Sequence, residues 1–330
     1  MRIAVIGNGS IGKRHMRNLI SLGYDDLISM DPSAEMTAQV HALHPQVGQY
    51  STVEELFEQG KPDVAFICSP PQFHLPQLNL AIEHGCHSFV EKPFSLNPEG
   101  VAEALKNAEA KNLRVATGFN MRYVQPIRQL KQWLDDGLIG DLLSCRIGLS
   151  SYMPNWHPWE DYRECFMAFW QSGGGALFDY VHGIDMAQWF AGRITQLCSM
   201  QKTTSLEMET DDMAVLIGQT DKGVMLDLYF DFVDHLSRRR IELIGSKGTA
   251  LWELDAQHTI TLYQADSGER RVIESRFDWD SCYIQLVKDF MASLDMGKNI
   301  ESDGWNGLDT QEVLMMAMQS NKQGKLVTRQ

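Results

Sequence analysis

"RIAVIGNGSIGKRHMRNLISLG", residues 2–23, is the stretch that decides the fold. It opens as a short β-branched run and turns through Gly7, Gly9 and Gly12 in the order G-x-G-x-x-G. It then continues as a helix-like segment that Gly23 can cap. Three glycines alone are a weak signal; a strand before them and a helix after give the pattern meaning. Gly7 permits the tight turn, Gly9 lets the backbone approach a pyrophosphate, and Gly12 lets helix pack on strand. The helix start then offers unpaired N–H groups and a positive dipole end to phosphate oxygens. A dinucleotide is therefore expected against Gly7, Asn8, Gly9, Ser10, Ile11 and Gly12.

Working outward, "DLISMD" is a second strand ending on Asp31, nineteen residues beyond Gly12. A carboxylate there accepts from the adenosine ribose hydroxyls. "MDPSAEMTAQ" holds no arginine, and Asp31 would repel a 2′-phosphate, so NAD is expected over NADP. Ser33 and the neighbouring Lys13 and Arg14 keep NADP as the alternative. Helical and strand-like runs then alternate: "SAEMTAQVHALH", "PDVAFICSPP", "FHLPQLNLAIEHG", "CHSFVEKP", "NPEGVAEALKNAEAKN" and "LRVATGFN". Alternation of this kind predicts right-handed crossovers and a parallel sheet covered on both faces.

From about residue 119 the pattern changes. An amphipathic helix, "VQPIRQLKQWLDDGLIG", leads into "DLLSCRIGLSSYM" and then successive long β runs between residues 194 and 266. Short turns between them predict an antiparallel or mixed sheet. "SCYIQLVKDFMASLDMG" and "GLDTQEVLMMAMQSNKQGK" read as closing helices. The expected class is α/β: a Rossmann-type parallel sheet over 1–119, then an α+β domain with a large open, mainly antiparallel sheet over 120–330.

The 330 residues suit two domains, and 44% hydrophobic with 22% charged residues describes a globular chain. Lys and Arg total 29 against 43 Asp and Glu, a formal charge of −14, which opposes nucleic acid or an anionic membrane as partner. No apolar run reaches the length of a membrane span, and "MRIAVIG" reads as a strand, not a leader. Six scattered cysteines without a CxxC pair are expected to be reduced thiols in a cytoplasmic protein, with no metal site.

Two strand ends carry unusual chemistry: "CSPPQFH" at 68–74 and "EKP" at 91–93. By residue type alone, Lys92 is either a solvated turn residue or a cation held for chemistry. Together with "GNGSIG", "GFNMRY" (118–123), "DDGLIGDL" (135–142), "GGGALFDYVHGID" (173–185) and "IGSKGT" (244–249), these segments resemble the Gfo/Idh/MocA oxidoreductases in type and order. The resemblance covers nearly the whole chain. It implies an N-terminal Rossmann domain and a C-terminal domain built on a large open sheet. It implies Lys92, Asp179 and His182 as catalytic residues, and Ser69, Pro70, His74, Glu91, Lys92 and Asn120 near the cofactor. It also implies substrate contacts from Lys92, Asn120, Arg122, Asp179 and His182.

The chemistry is coherent. Oxidising an alcohol needs a base for the hydroxyl proton, and imidazole titrates near working pH. A lysine cation stabilises a developing alkoxide. Asp179 and His182, three apart, would share a face of one helix. Many family members space this pair by four. Asp185, three beyond His182, is a competing partner for the ring.

Between the last strand and the glycine-rich segment lies "SYMPNWHPWEDYRECFMAFWQSGGG". Its rings suit a sugar or simply pack the loop. Trp156, His157, Tyr162 and Arg163 are the expected substrate contacts, with Arg163 able to grip a carboxylate or phosphate. Arg238, Arg239 and Arg240 are either a phosphate site or a solvated strand edge. The expected activity is NAD-dependent oxidation of a sugar, polyol or nucleotide-sugar. An NAD-dependent glycosidase using transient oxidation and a non-catalytic NAD-binding regulator are the alternatives. A homodimer or homotetramer through the C-terminal sheet is expected.

Overall fold

The computed structural model describes residues 1–156, 161–254, 258–294 and 298–329. The chain divides into two compact units: Met1–Phe119 with Tyr283–Gln311, and Asn120–Cys282 with Glu312–Gln330. Tyr283–Gln311, assigned to the second domain from sequence, thus groups with the first.

In the first unit six strands, β1 (Ile3–Ile6), β2 (Leu27–Met30), β3 (Gly48–Tyr50), β4 (Val64–Ile67), β5 (His87–Val90) and β6 (Val115–Thr117), form one sheet in the order β3-β2-β1-β4-β5-β6. Every neighbouring pair is parallel. Helices α1 (Ser10–Ser21), α2 (Ala34–Leu43), α3 (Val53–Glu55), α4 (His74–Glu83) and α5 (Val101–Ala110) make the crossovers. β1 and β4 are buried along their whole length, so they read in sequence as unbroken apolar runs without alternation. Strand order reverses between β1 and β4, and the C-terminal ends of such strands are where a doubly wound sheet presents its ligands.

The turn after β1 obeys close-approach limits. Gly7 has φ +98°, and a Cβ there would lie 2.7 Å from the Cys68 carbonyl oxygen. A Cβ on Gly12 would lie 1.9 Å from the Gly7 carbonyl oxygen. Helix α1 can therefore sit on β1 only through glycine, whereas Gly9 has open space beside it.

The second unit holds a nine-stranded sheet in the order β14-β13-β12-β11-β7-β10-β9-β8-β15. Its strands are β7 (Leu142–Ser150), β8 (Ile194–Lys202), β9 (Met213–Thr220), β10 (Met225–Asp231), β11 (Arg239–Gly245), β12 (Gly248–Leu254), β13 (Thr259–Gln264), β14 (Glu269–Glu274) and β15 (Val327–Thr328). Only β7 and β10 run parallel; the other pairs are antiparallel. Helices α6 (Gln125–Asp135), α7 (Ala176–Asp179) and α8 (Val181–Ala191) precede most of the strands. Helices α9 (Trp279–Ser293) and α10 (Gly304–Gln323) each run through a unit boundary.

One face of this sheet is apolar and buried, with Ile147, Leu149, Leu228, Phe230, Ile241 and Trp252 inward. Helix α8 presses on it so closely that a Cβ on Gly183 would lie 2.3 Å from the Phe230 ring. The opposite face leaves Met200, Ile217, Met225 and Tyr229 exposed. The three arginines of 238–240 are engaged by side-chain partners, and Arg239 and Arg240 lie on a strand paired on both sides, not on a sheet edge. Arg238 pairs with Asp234, Arg239 lies 4.7 Å over the Trp279 ring, and Arg240 meets Glu242 and Glu253. Among the described residues no helix is long and apolar enough to cross a membrane.

Candidate active site

The dinucleotide seat is built from the ends of β1 and β2. Asp31 holds the glycine turn: its Oδ2 accepts from the Asn8 N–H at 2.7 Å, and its Oδ1 from the Ser33 N–H at 2.8 Å. An ionised carboxylate has about four acceptor sites, so capacity remains for ribose hydroxyls. Helix α1 begins at Gly9 with no side-chain cap and no acidic residue in its first turn. The Asn8 amide is wholly buried, yet neither its oxygen nor its nitrogen has a hydrogen-bond partner in the protein. A buried amide without partners costs about 1–3 kcal/mol. An anion at the uncapped helix start supplies what the helix lacks, so the turn fits NAD. The cations that could favour a 2′-phosphate are engaged: Lys13 donates to Gln39 at 2.7 Å, and Arg14 lies 4.6 Å over the Tyr283 ring. Ser33 caps α2 by accepting from the Met36 N–H.

The ends of β4 and β5 are tied together beside this seat. His74 is buried, with Nε2 2.6 Å from the Ser69 carbonyl oxygen and Nδ1 3.1 Å from the Pro93 carbonyl oxygen. Burial pushes its pKa below the ordinary imidazole value, against the raising effect of those carbonyls. A neutral ring has one N–H, and the shorter contact fits the donor. His74 therefore donates to the Ser69 carbonyl oxygen, and its ring lies against the turn of Glu91, Lys92 and Pro93. Lys92 is half-buried there. Glu91 is buried; its Oε1 lies 2.7 Å from the Nε2 of His15, and its Oε2 accepts from the Lys92 N–H at 3.1 Å. His15 was not among the residues expected at the site.

In the second unit, Asp179 ends α7 and His182 lies in the first turn of α8, with Tyr180 between them at φ −85° and ψ 23°. The expectation of one continuous helix presenting both on a shared face is corrected: the helix is interrupted between them. Tyr180 fills the interruption. It is buried, its hydroxyl lies 2.5 Å from the Ser151 hydroxyl, and its ring meets Trp156 edge-on at 6.1 Å. The aromatic loop thus reaches the junction of α7 and α8 through Trp156.

Asp185 is engaged by Arg122 through two hydrogen bonds, 2.9 Å from Nε and 2.6 Å from Nη2, both side chains almost wholly buried. Arg122, expected at the substrate, anchors α8 in this way. Asn120 is buried and donates to the Cys282 sulfur at 3.4 Å. Arg163 lies at the surface, gripped by Asp161 and Glu207, while the Tyr162 hydroxyl accepts from the Glu207 N–H. The Arg163 hydrogen bonds hold the Asp161 carboxyl down at about 2. His157 lies outside the described residues. Among the described residues no cluster of His, Cys, Asp or Glu could hold a metal ion.

Asp211 anchors the start of α7. Its Oδ2 accepts from the Leu177 N–H at 2.9 Å and its carbonyl from the Ala176 N–H at 2.8 Å, while Oδ1 is buried without a partner. Burial pushes its carboxyl up to about 7, with the neighbouring Asp212 adding to the rise and the Leu177 N–H opposing it. A folded pKa above the unfolded 3.8 means the folded chain binds the extra proton between pH 4 and 7. This group's contribution is therefore most favourable below about pH 4 and declines as pH rises to about 7, by at most ~1.4 kcal/mol per pH unit. Urea unfolding of Asp211→Asn between pH 4 and 7 is expected to lack that decline relative to wild type. Parallel pH curves for the two proteins would rule it out.

A family model for the oxidoreductase family with an NAD-binding Rossmann fold matches residues 1–119, and one for the Gfo/Idh/MocA C-terminal domain matches 127–251. The chain belongs to the Gfo/Idh/MocA family. It is 26% identical to the myo-inositol 2-dehydrogenase of Thermotoga maritima, over 93% of this chain and 92% of that one. It shares its fold with the WlbA dehydrogenase of Bordetella pertussis, solved with NADH and UDP-GlcNAcA (TM-score 0.86, 18% identity, 100% and 98% coverage). It also shares it with a levoglucosan dehydrogenase solved with NADH and levoglucosan (TM-score 0.88, 17% identity, 100% and 99% coverage).

As a Gfo/Idh/MocA oxidoreductase the protein uses NAD, which when bound supplies a two-electron acceptor at its nicotinamide. In the first unit the chain offers an uncapped helix start after the glycine turn and a half-buried lysine at the end of β5. In the second unit it adds an imidazole and a carboxylate on a segment anchored at its start by Asp211 and along its length by Arg122.

Proposed function

We propose that this protein oxidises a carbinol carbon of a sugar, polyol or nucleotide-sugar, with Lys92 and His182 acting on the same hydroxyl. His182 takes the hydroxyl proton and the Lys92 ammonium stabilises the oxygen as its charge grows. Asp179 binds a neighbouring hydroxyl or orients the imidazole, and Trp156 offers a flat apolar surface to the substrate ring. The observation that carries this reading is a half-buried lysine at the β5 end, in the same unit as the uncapped helix start that follows the glycine turn. The inositol and levoglucosan dehydrogenases among its relatives support the substrate class. The test is a screen of polyols, free sugars and nucleotide sugars with NAD, read by absorbance of the reduced cofactor. Turnover of at least one member supports the reading. No reduction of NAD by any of them, together with hydrolysis of an aryl glycoside, would replace it with the glycosidase alternative.

Self-association through the open sheet face belongs to the same reading. Met200, Ile217, Met225 and Tyr229 leave an apolar strip there that a second copy would cover. Ile217→Lys is expected to shift the protein to monomer in sedimentation velocity, with the fold intact by circular dichroism; an unchanged sedimentation coefficient would exclude this face. Free thiols at all six cysteines, Cys198 exposed among them, suit the reducing cytoplasm.

A further inference from the structure

His15 sits on the buried face of α1, wholly out of solvent, among the rings of Phe66, Phe89 and Tyr283 at 5.3, 5.1 and 6.3 Å. A histidine in an aromatic cage is an expensive filler unless its polar atoms are used. One is: Nε2 meets Glu91 Oε1 at 2.7 Å, while Nδ1 is buried without a partner. Orphaned N–H donors are rarer in buried sites than orphaned acceptors. The arrangement therefore fits a ring that donates through Nε2 and keeps Nδ1 as a bare acceptor.

The other end of this contact matters more. Glu91 immediately precedes Lys92, and its second oxygen accepts from the Lys92 backbone N–H. Its carboxylate also fills the space over Gly118, where a Cβ would lie 2.8 Å from Oε2. The carboxylate is thus fixed from α1, from its own strand end and from the end of β6. Without the His15 donor it would be a buried charge short of a partner and would turn toward solvent, pulling on the Lys92 backbone.

We propose that His15 is a positioning residue for the reaction: through Glu91 it fixes the turn that carries Lys92 beside the cofactor seat. This rests on the reading of Lys92 as catalytic. Displacing a reacting group by about 1 Å costs roughly 100-fold in rate. The same helix presents its N-terminus to the pyrophosphate, so one rigid element sets both cofactor and lysine.

Two variants separate positioning from packing. Methionine at position 15 fills the cage without a donor; glutamine places an N–H near the position of Nε2. His15→Met is expected to lower kcat by about 10- to 100-fold, to speed hydrogen exchange at the Lys92 amide, and to leave the NAD dissociation constant within about threefold. His15→Gln is expected to restore both turnover and slow exchange. Were His15 only a filler, the order would reverse: His15→Met would keep turnover and exchange, and His15→Gln, with its extra buried carbonyl, would lose stability. That reversed order overturns the proposal, as does fast exchange in His15→Met with full turnover. The exchange readout does not depend on turnover. Failure of the Lys92 reading, seen as full activity in Lys92→Ala, therefore stays distinct from failure here, seen as unchanged exchange in His15→Met.

Discussion

Lys92→Ala and His182→Ala are each expected to lower turnover by about 10³-fold, in the range that positioned acid–base and electrostatic groups contribute, while NAD binding changes only a few-fold. The split follows from where the binding energy lies. On the proposed reading the pyrophosphate lies against the glycine turn and the start of α1, and Asp31 anchors that turn through the Asn8 N–H. Neither variant touches those contacts. Lys92→Met, which keeps the stem and removes the charge, is expected to resemble alanine in rate, because the ammonium is what stabilises the growing negative charge. Steady-state kinetics with a substrate from the sugar and polyol screen, set beside NAD titration by fluorescence, reads both quantities. Full turnover in either variant removes that residue from the chemistry.

The second large effect concerns stability. Arg122→Met leaves the Asp185 carboxylate buried without its partner, and breaking a buried pair in this way costs about 3–5 kcal/mol. Burial already pushes the Asp185 carboxyl above its ordinary value, with Arg122 opposing the rise. Without the arginine the folded carboxyl rises further above its unfolded value and takes up a proton. The folded form then binds more protons than the unfolded form, so the loss is smallest at low pH and grows as pH rises above about 4. Urea unfolding at several pH values reads this directly. Replacing both partners, Arg122→Met with Asp185→Leu, is expected to recover much of the loss, since no buried charge remains. A single variant as stable as wild type at neutral pH would show that the pair does not anchor α8.

What could be seen in the sequence follows from what each element buries. β1 and β4 are covered on both faces and read as plain apolar runs; β10 alternates between a buried and an exposed face and reads as a half-buried strand. β14, exposed along all six residues, has no buried face to imprint a pattern, and β15 is two residues long; neither was foreseen. The glycine turn was legible because two close approaches, at Gly7 and Gly12, demand glycine at a fixed spacing.

Side-chain partnerships were harder to see. The resemblance alone put Arg122 at the substrate; its pairing with Asp185 could not be seen, because the two lie 63 residues apart and no local pattern joins them. Arg163 was different: Asp161, two residues earlier, already offered it a carboxylate. The interruption at Tyr180 was hidden because residue spacing assumes an unbroken helix. His15 left a signal that went unused. It lies three residues past Gly12, on the helix face that the glycine presses to the sheet, and a histidine on a buried face needs a polar partner.

The most direct measurement is a crystal structure with NAD bound, reading the positions of Lys92 Nζ and the His182 ring nitrogens around the nicotinamide C4. A single hydroxyl oxygen bonded to both groups requires the lysine and one imidazole nitrogen to lie within about 6 Å of each other, on the side of the ring where C4 is open. That is the arrangement expected here. A separation beyond about 9 Å, too wide even for a bridging water, or an imidazole turned away from the nicotinamide, would contradict a shared role in oxidising one carbinol.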